Sequence, residues 1–452
     1  MKKNILKEII YNKFEWLKKY KKQYSLEIIK KNIKNSNRNF YEKIKTTRPC
    51  FILEAKKKSP SKGIINKHFD IIKIAKYYKK HATIISVLTE EKYFQGSFQF
   101  LQIMHTLVKQ PILCKDFFID PYQIYLARYY NADAILLMLS VLNDNEYKIL
   151  SDIAHNLNMG VLTEINNTSE LNRAIQLQAQ VIGINNRNLE DLSINMNKTY
   201  QLAPLIPKEK TIISESGIYN NQQIKKLKKI VHGFLIGSSI MQSKNIAIKI
   251  NSIIFGENKV CGLRKIQDAQ KIKKFGAVYG GLIFVPKSIR YITIQIAENI
   301  ISDTFLKYVG VFQNEKIENI LSIINQLPLH AIQLHGNEDQ EYINNLKKKI
   351  HKKIKIWKAL YINEERNNIH FQNIDYYLFD NKTGGSGKCF DWSKIPKYNL
   401  NKCFLSGGLS IQNYHKAEKL NCYGLDFNSK LETHKGVKDY KKIKELFKKI
   451  RA

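Results

Sequence analysis

Short apolar runs recur along this chain, separated by longer polar stretches of helical pattern, and they fall into two sets of eight. The first set reads CFILEA from 50, IISVL from 84, ILCKD from 112, AILLM from 134, VLTE from 161, VIGIN from 181, TIISES from 211 and FLIG from 234. Successive starts lie about 26 residues apart, room for one strand and one helix each. Runs that are apolar throughout, without in-out alternation, fit strands buried on both faces of a parallel sheet. Eight such units within about 200 residues is the count of a closed (β/α)8 TIM barrel. A doubly wound open sheet more often has five to seven strands and a glycine-rich first turn, and is the runner-up.

From residue 258 the pattern starts again: NKVCGL, GLIFV, YVGVF, HAIQL, KIWKA, YYLFD, CFLSGG and GLDFN. The halves also end alike. SESGI is followed by GFLIGSS in the first, and LSGGL by YGLDFNS in the second. The expected architecture is α/β: two tandem TIM barrels, 1–255 and 256–452, joined near Phe255–Asn258. The first begins with an extra helical segment of about 45 residues, its apolar residues interrupted by charge every few positions.

Composition narrows the class further. The 452 residues are 44% hydrophobic, and six widely scattered cysteines (50, 114, 261, 389, 403, 422) form no C-x-x-C pair. Neither a disulfide framework nor a Cys-rich zinc site is expected, and a reducing cytoplasm is the natural compartment. No apolar run approaches the ~18 residues of a membrane helix. The amino terminus alternates charge with apolar residues, as an amphipathic helix does and a signal peptide does not. A formal charge of +35 raises the question of nucleic acid. Its clusters, such as KKLKK from 225 and KKIKELFKK from 441, carry Ile and Leu at helical spacing and read as solvated helix faces. No zinc knuckle or basic-aromatic repeat accompanies them, so neither a nucleic-acid nor a membrane partner is expected.

In a TIM barrel the chemistry sits at the carboxyl ends of the strands. Charged residues often end strands merely by reaching water, so the argument rests on convergence. In the first half Glu54 and Lys56 follow run one, Lys115 run three, Glu164 run five, Asn185 and Arg187 run six, and Glu215 run seven. Two lysines and three carboxylates at one mouth make an acid–base site with mutually perturbed pKa values. Ser216-Gly217 and Gly237-Ser238, after runs seven and eight, stand where this fold holds a phosphate.

The second mouth carries fewer charges: Cys261 after run one, Arg290 after run two, His335 after run four and Asp380 after run six. The loop GGSGKCFDW, with Gly385 and Ser386, is no Walker A motif, because Lys382 stands where its first glycine belongs. Gly407, Gly408 and Ser429 end the last two runs. A lone cysteine is usually an inert small hydrophobe. Across a mouth from Asp380, Cys261 is a candidate base or nucleophile if its thiolate is favoured.

FILEAKKKSPSKG, LTEEKYFQGSF, GVLTEI, IGINNRNL, ISESGI and GFLIGSSIM together resemble indole-3-glycerol phosphate synthase. KVCGL, YGGLIFVPKSIRYI, IQLHGNE, GGSGKCFDW, LSGGL and GLDFNS resemble N-(5'-phosphoribosyl)anthranilate isomerase. The resemblance spans nearly the whole chain and implies a bifunctional enzyme of tryptophan biosynthesis, acting on small phosphorylated anthranilate–sugar substrates without metal or organic cofactor. It implies Asp380 as general acid and Cys261 as base of the isomerase, with Arg290 facing the anthranilate carboxylate and His335 lining the pocket. In the synthase it implies Lys115 as general acid, Glu164 as its partner in dehydration, and Lys56 on the substrate carboxylate. Glu54 would orient the site, with Asn185, Arg187 and Glu215 in support and Ser59 among the binding residues. With both activities in one chain, a monomer is expected. One departure stands out: SKLETHKGVKD replaces the family's Ser-Gly-Val-Glu-x-x-Pro-Gly, placing Lys430 and Lys435 beside the phosphate loop.

Overall fold

The structure is a computed structural model describing residues 5–362, 371–381, 387, 389–396 and 399–452. It divides into two compact units, Met1–Ile250 and Asn251–Ala452. Each holds one closed barrel of eight parallel strands, as the paired sets of runs predict.

The strands of the first barrel are Cys50–Ala55, Ile84–Leu88, Ile112–Lys115, Ala134–Met138, Gly160–Ile165, Val181–Asn185, Thr211–Glu215 and Gly233–Ile236. Closure is made where Cys50 pairs with Gly233 and Leu53 with Ile236. Their side chains are buried along almost their full length, which is why no alternation shows in the sequence. Polar caps start the surrounding helices. Asp70, Ser97, Asp120, Asn143, Asn167 and Asn220 each accept from backbone N–H groups in the first turn, satisfying donors that have no partner within the helix.

Three helices precede this barrel: α1 (Ile5–Gln23), α2 (Leu26–Asn32) and α3 (Phe40–Thr46). In α1 the buried residues are Ile9, Lys13 and Leu17, four apart and so on one face. A lysine in the middle of that stripe has a specific partner, described below.

The second barrel runs through Lys259–Val260, Tyr279–Ile283, Lys307–Phe312, Ala331–Leu334, Lys355–Tyr361, Tyr376–Asp380, Cys403–Leu405 and Gly424–Phe427. It closes where Lys259 pairs with Asp426 and Val260 with Phe427. After the last strand, Glu432–His434 and Val437–Lys438 form a two-stranded hairpin. Its turn passes through Gly436 at φ +87°, a region glycine enters without steric cost. Lys430, just before the hairpin, and Lys435, in its turn, are the two departures from the family pattern, and both are exposed.

Candidate active sites

Strand ends of the first barrel bring Glu54, Lys56, Lys115, Glu164, Asn185 and Glu215 together. Lys56 Nζ pairs with Glu54 Oε1. Lys115 Nζ lies 3.4 Å from Glu54 Oε2 and 3.1 Å from Glu215 Oε2, so one ammonium bridges carboxylates from strands one and seven. Burial works against the charge of Glu54, yet Lys56 and Lys115 hold it down to about 2. Burial also opposes the charge of Lys115, but Glu215, Glu54 and Glu164 keep it protonated well above the usual lysine range. Glu164 and Glu215 go the other way. Burial pushes both up, with Lys115 opposing and Glu164 adding to the rise of Glu215, which reaches about 7. Carboxylates pushed apart in this manner separate proton donors from permanent anions.

The carboxylates fit because two neighbours are glycine. A Cβ on Gly183 would collide with Glu215 Oε1, and one on Gly237 with Glu54 Oε1. Gly237, expected to hold phosphate, thus also makes room for a carboxylate. Around this floor, Ser59, Arg187, Ser216 and Ser238 line a cavity of about 90 Å³, with Ile5, Leu6 and Ile9 of α1 along its wall. A small hairpin, Lys58–Ser59 paired with Gly63–Ile64, presents Ser59. Ser216 and Gly217 both have positive φ, +64° and +80°. A Cβ at Gly217 would press on the Met196 sulfur.

Behind Lys115 lies a pair absent from the sequence reading. Lys13 Nζ is 2.7 Å from Asp116 Oδ1, both side chains buried, and Thr89 Oγ1 donates to Asp116 Oδ2 at 2.6 Å. The signal was present: a lysine in α1's apolar stripe, matched by an acid directly after Lys115.

In the second barrel, Cys261, Arg290, His335, Asp380, Gly407, Gly408 and Ser429 all line one cavity of about 370 Å³, a size suited to a small ligand. Asp380 Oδ1 accepts from the Asn381 N–H at 2.7 Å and Oδ2 from Ser406 Oγ at 3.1 Å. His335 Nε2 stands 3.5 Å from the same Oδ2, and His335 Nδ1 is 2.9 Å from Gln333 Nε2. Gly407 (φ +81°) packs against Asp380: a Cβ there would sit 3.2 Å from Oδ1. Arg290 reaches the cavity already engaged, with Nε and Nη2 donating to the two oxygens of Glu432 at 2.8 and 2.7 Å. Lys438 also donates to Glu432, at 3.0 Å. Burial opposes the charge of Glu432, but Arg290 and Lys438 hold it at about 2. Glu432, Lys438 and Asp426 were not singled out in the sequence. Gly385 and Ser386 lie outside the described residues; Gly387 of the same loop lines the cavity. Among the described residues no cluster of His, Cys, Asp and Glu could hold a metal ion.

Two parallel barrels, each with acid–base side chains gathered at the carboxyl ends of its strands, define a tandem TIM-barrel enzyme. Residues 6–253 match the family model for indole-3-glycerol phosphate synthase, and residues 258–449 that for N-(5'-phosphoribosyl)anthranilate isomerase. Among curated proteins, the chain is 54% identical over 451 residues to "Tryptophan biosynthesis protein TrpCF" of Buchnera aphidicola subsp. Diuraphis noxia, with 100% of both chains covered. It is 55% identical over 450 residues to the same-named protein of Buchnera aphidicola subsp. Schizaphis graminum, again with 100% of both covered. The counterpart of Haemophilus influenzae is 48% identical over 461 residues, covering 99% of this chain and 97% of that one. The chain belongs to this family of bifunctional tryptophan-biosynthesis enzymes, with the synthase first and the isomerase second.

Proposed function

We propose that the two mouths divide the family's consecutive reactions, the barrel of 256–452 acting first and that of 1–255 second. In the isomerase half, Asp380 protonates the ribose ring oxygen of N-(5'-phosphoribosyl)anthranilate and the ring opens. Cys261 then removes the C2 proton, and the enol becomes the ketone of 1-(2-carboxyphenylamino)-1-deoxyribulose 5-phosphate. Arg290 receives the anthranilate carboxylate, its guanidinium held in place by Glu432. Gly385, Ser386, Gly407, Gly408 and Ser429 bind the phosphate, and His335 lines the pocket beside Asp380.

In the synthase half the anthranilate ring carbon attacks the ketone carbon while Lys115 protonates its oxygen. Carbon dioxide leaves, and Glu164 assists the loss of water that completes the indole. Lys56 holds the substrate carboxylate and Glu54 orients both lysines. Ser59, Arg187, Ser216, Gly217, Gly237 and Ser238 take the phosphate end. The single observation that carries this reading is the Lys115 ammonium lying between Glu54 and Glu215. There it stays charged until a developing alkoxide takes its proton. Each such group is typically worth ~10²–10⁴-fold in rate.

The same reading has the enzyme act as a monomer in the cytoplasm, the reducing compartment that suits its free cysteines. Incubation with phosphoribosylanthranilate tests the reading: the intermediate and then indole-3-glycerol phosphate should appear. Purified chain that consumes no substrate would overturn it.

A further inference from the structure

The second barrel buries a lysine with no exposure at all, Lys259, and the reaction outlined above leaves it without a task. It lies two residues before Cys261. The ladder continues past the strand, because the Cys261 N–H donates to Phe427 O at 2.8 Å, so the two side chains leave the strand on one side. On the neighbouring strand the register partner of Lys259 is Asp426, and Nζ lies 2.7 Å from Asp426 Oδ2. The other oxygen of Asp426 is buried without a hydrogen-bond partner among the described residues. Cys261 and Asp426 both face the catalytic cavity. Gly281, on the opposite neighbouring strand, leaves room for the thiol, since a Cβ there would strike Cys261 Sγ.

The charged groups on the Cys261 side of the cavity are unequal in number. Lys259, Lys438 and Arg290 are cations; Asp426 and Glu432 are anions. Across the cavity stand Asp380 and His335. On the Cys261 side of the cavity three cations thus face two carboxylates, and one thiolate completes that set. A buried group with an uncompensated neighbour charge is driven towards the ionisation state that compensates it.

We propose that Lys259, anchored by Asp426, is a positioning residue that holds negative charge on Cys261, so that the isomerase base is a buried cysteine–lysine–aspartate group. The proposal rests on the reading of Cys261 as that base. Burial pushes the thiol up, Lys259 is the main group opposing that rise, and Asp426 works in the other direction.

The test uses the full-length chain. Alkylation of Cys261 by iodoacetamide is followed on its own peptide by mass spectrometry across pH, beside the pH profile of isomerase kcat/KM. In Lys259→Met the alkylation midpoint should rise by at least one pH unit. The acid limb of kcat/KM should move with it, a loss of about tenfold or more at pH 7, while the synthase rate of the same chain is kept. Lys259→Arg should restore part of the loss. In Asp426→Asn the midpoint should fall, because the lysine then has only the thiolate to pair with. A purely structural role would not move the two midpoints in opposite directions. Unmoved midpoints, or shifts of the same sign, would overturn the proposal. If Lys259→Met does not fold, Asp426→Asn decides alone: a lower midpoint supports the proposal, and an unchanged or higher one overturns it. Isomerase activity surviving in Cys261→Ala would instead refute Cys261 as the base, whatever the midpoints show.

Discussion

Replacing Glu215 by glutamine should make the protein more stable at alkaline pH while disabling the synthase. The Glu215 side chain is fully buried, and its carboxyl is pushed from an ordinary value near 4.5 up to about 7. A carboxyl raised in the folded state leaves stability intact below its unfolded value. That stability is lost as pH rises through the folded one, because the native state then gives up a proton it prefers to keep. The gap of roughly 2.5 pH units, at ~1.36 kcal/mol per unit, corresponds to about 3 kcal/mol at pH 8 and above. Glutamine is isosteric with the protonated acid and does not titrate. Lys115 still has Glu54 at 3.4 Å, so the substitution strands no cation. For a unit of this size ~1 kcal/mol moves the melting temperature by about 2–4 °C. Glu215→Gln should therefore melt roughly 6–12 °C higher than the parent at pH 8 and no higher at pH 5. Calorimetry of the full chain from pH 5 to 9, read at the transition lost with synthase activity, measures this. A variant less stable at pH 8, or a difference flat in pH, would show Glu215 to be an ordinary ionised partner of Lys115.

Other perturbations reach separate parts of the account. Gly237→Ala drives a methyl into Glu54 and should cost the synthase ~10²-fold, with isomerase kcat/KM in the same sample unchanged. Lys13→Met leaves the buried Asp116 without its cation partner. It should cost ~3–5 kcal/mol of stability by urea unfolding, much of it recovered by adding Asp116→Asn. Asp380→Asn should lower isomerase turnover by ~10²–10⁴-fold and leave conversion of the purified intermediate to indole-3-glycerol phosphate untouched.

What could be read from the sequence follows from how parallel barrels are built. Strands buried on both faces appear as unbroken apolar runs, so sixteen strands and their order were visible. Polar side chains that gather at the two mouths end those runs, so Glu54, Lys115, Glu164, Glu215, Cys261 and Asp380 could be picked out as candidates. Partners were harder where the fold closes a long gap. Arg290 meets Glu432 across 142 residues, and Lys259 meets Asp426 across 167, so no local pattern marks either pair. Lys13 was hidden differently: inside an amphipathic helix one more lysine reads as surface, until its place in the buried stripe is noticed. Gly183 and Gly237 matter through the carboxylates they leave room for, which is a property of neighbouring strands rather than of the glycines.

Two separate active sites in one chain is the central claim, and complementation tests it most directly. Lys115→Met and Cys261→Ala proteins are each given phosphoribosylanthranilate, alone and as an equimolar mixture, and indole-3-glycerol phosphate is quantified. The account predicts that Lys115→Met alone accumulates the intermediate, that Cys261→Ala alone leaves the substrate untouched, and that the mixture forms indole-3-glycerol phosphate. A mixture of two well-folded variants that makes none would contradict it.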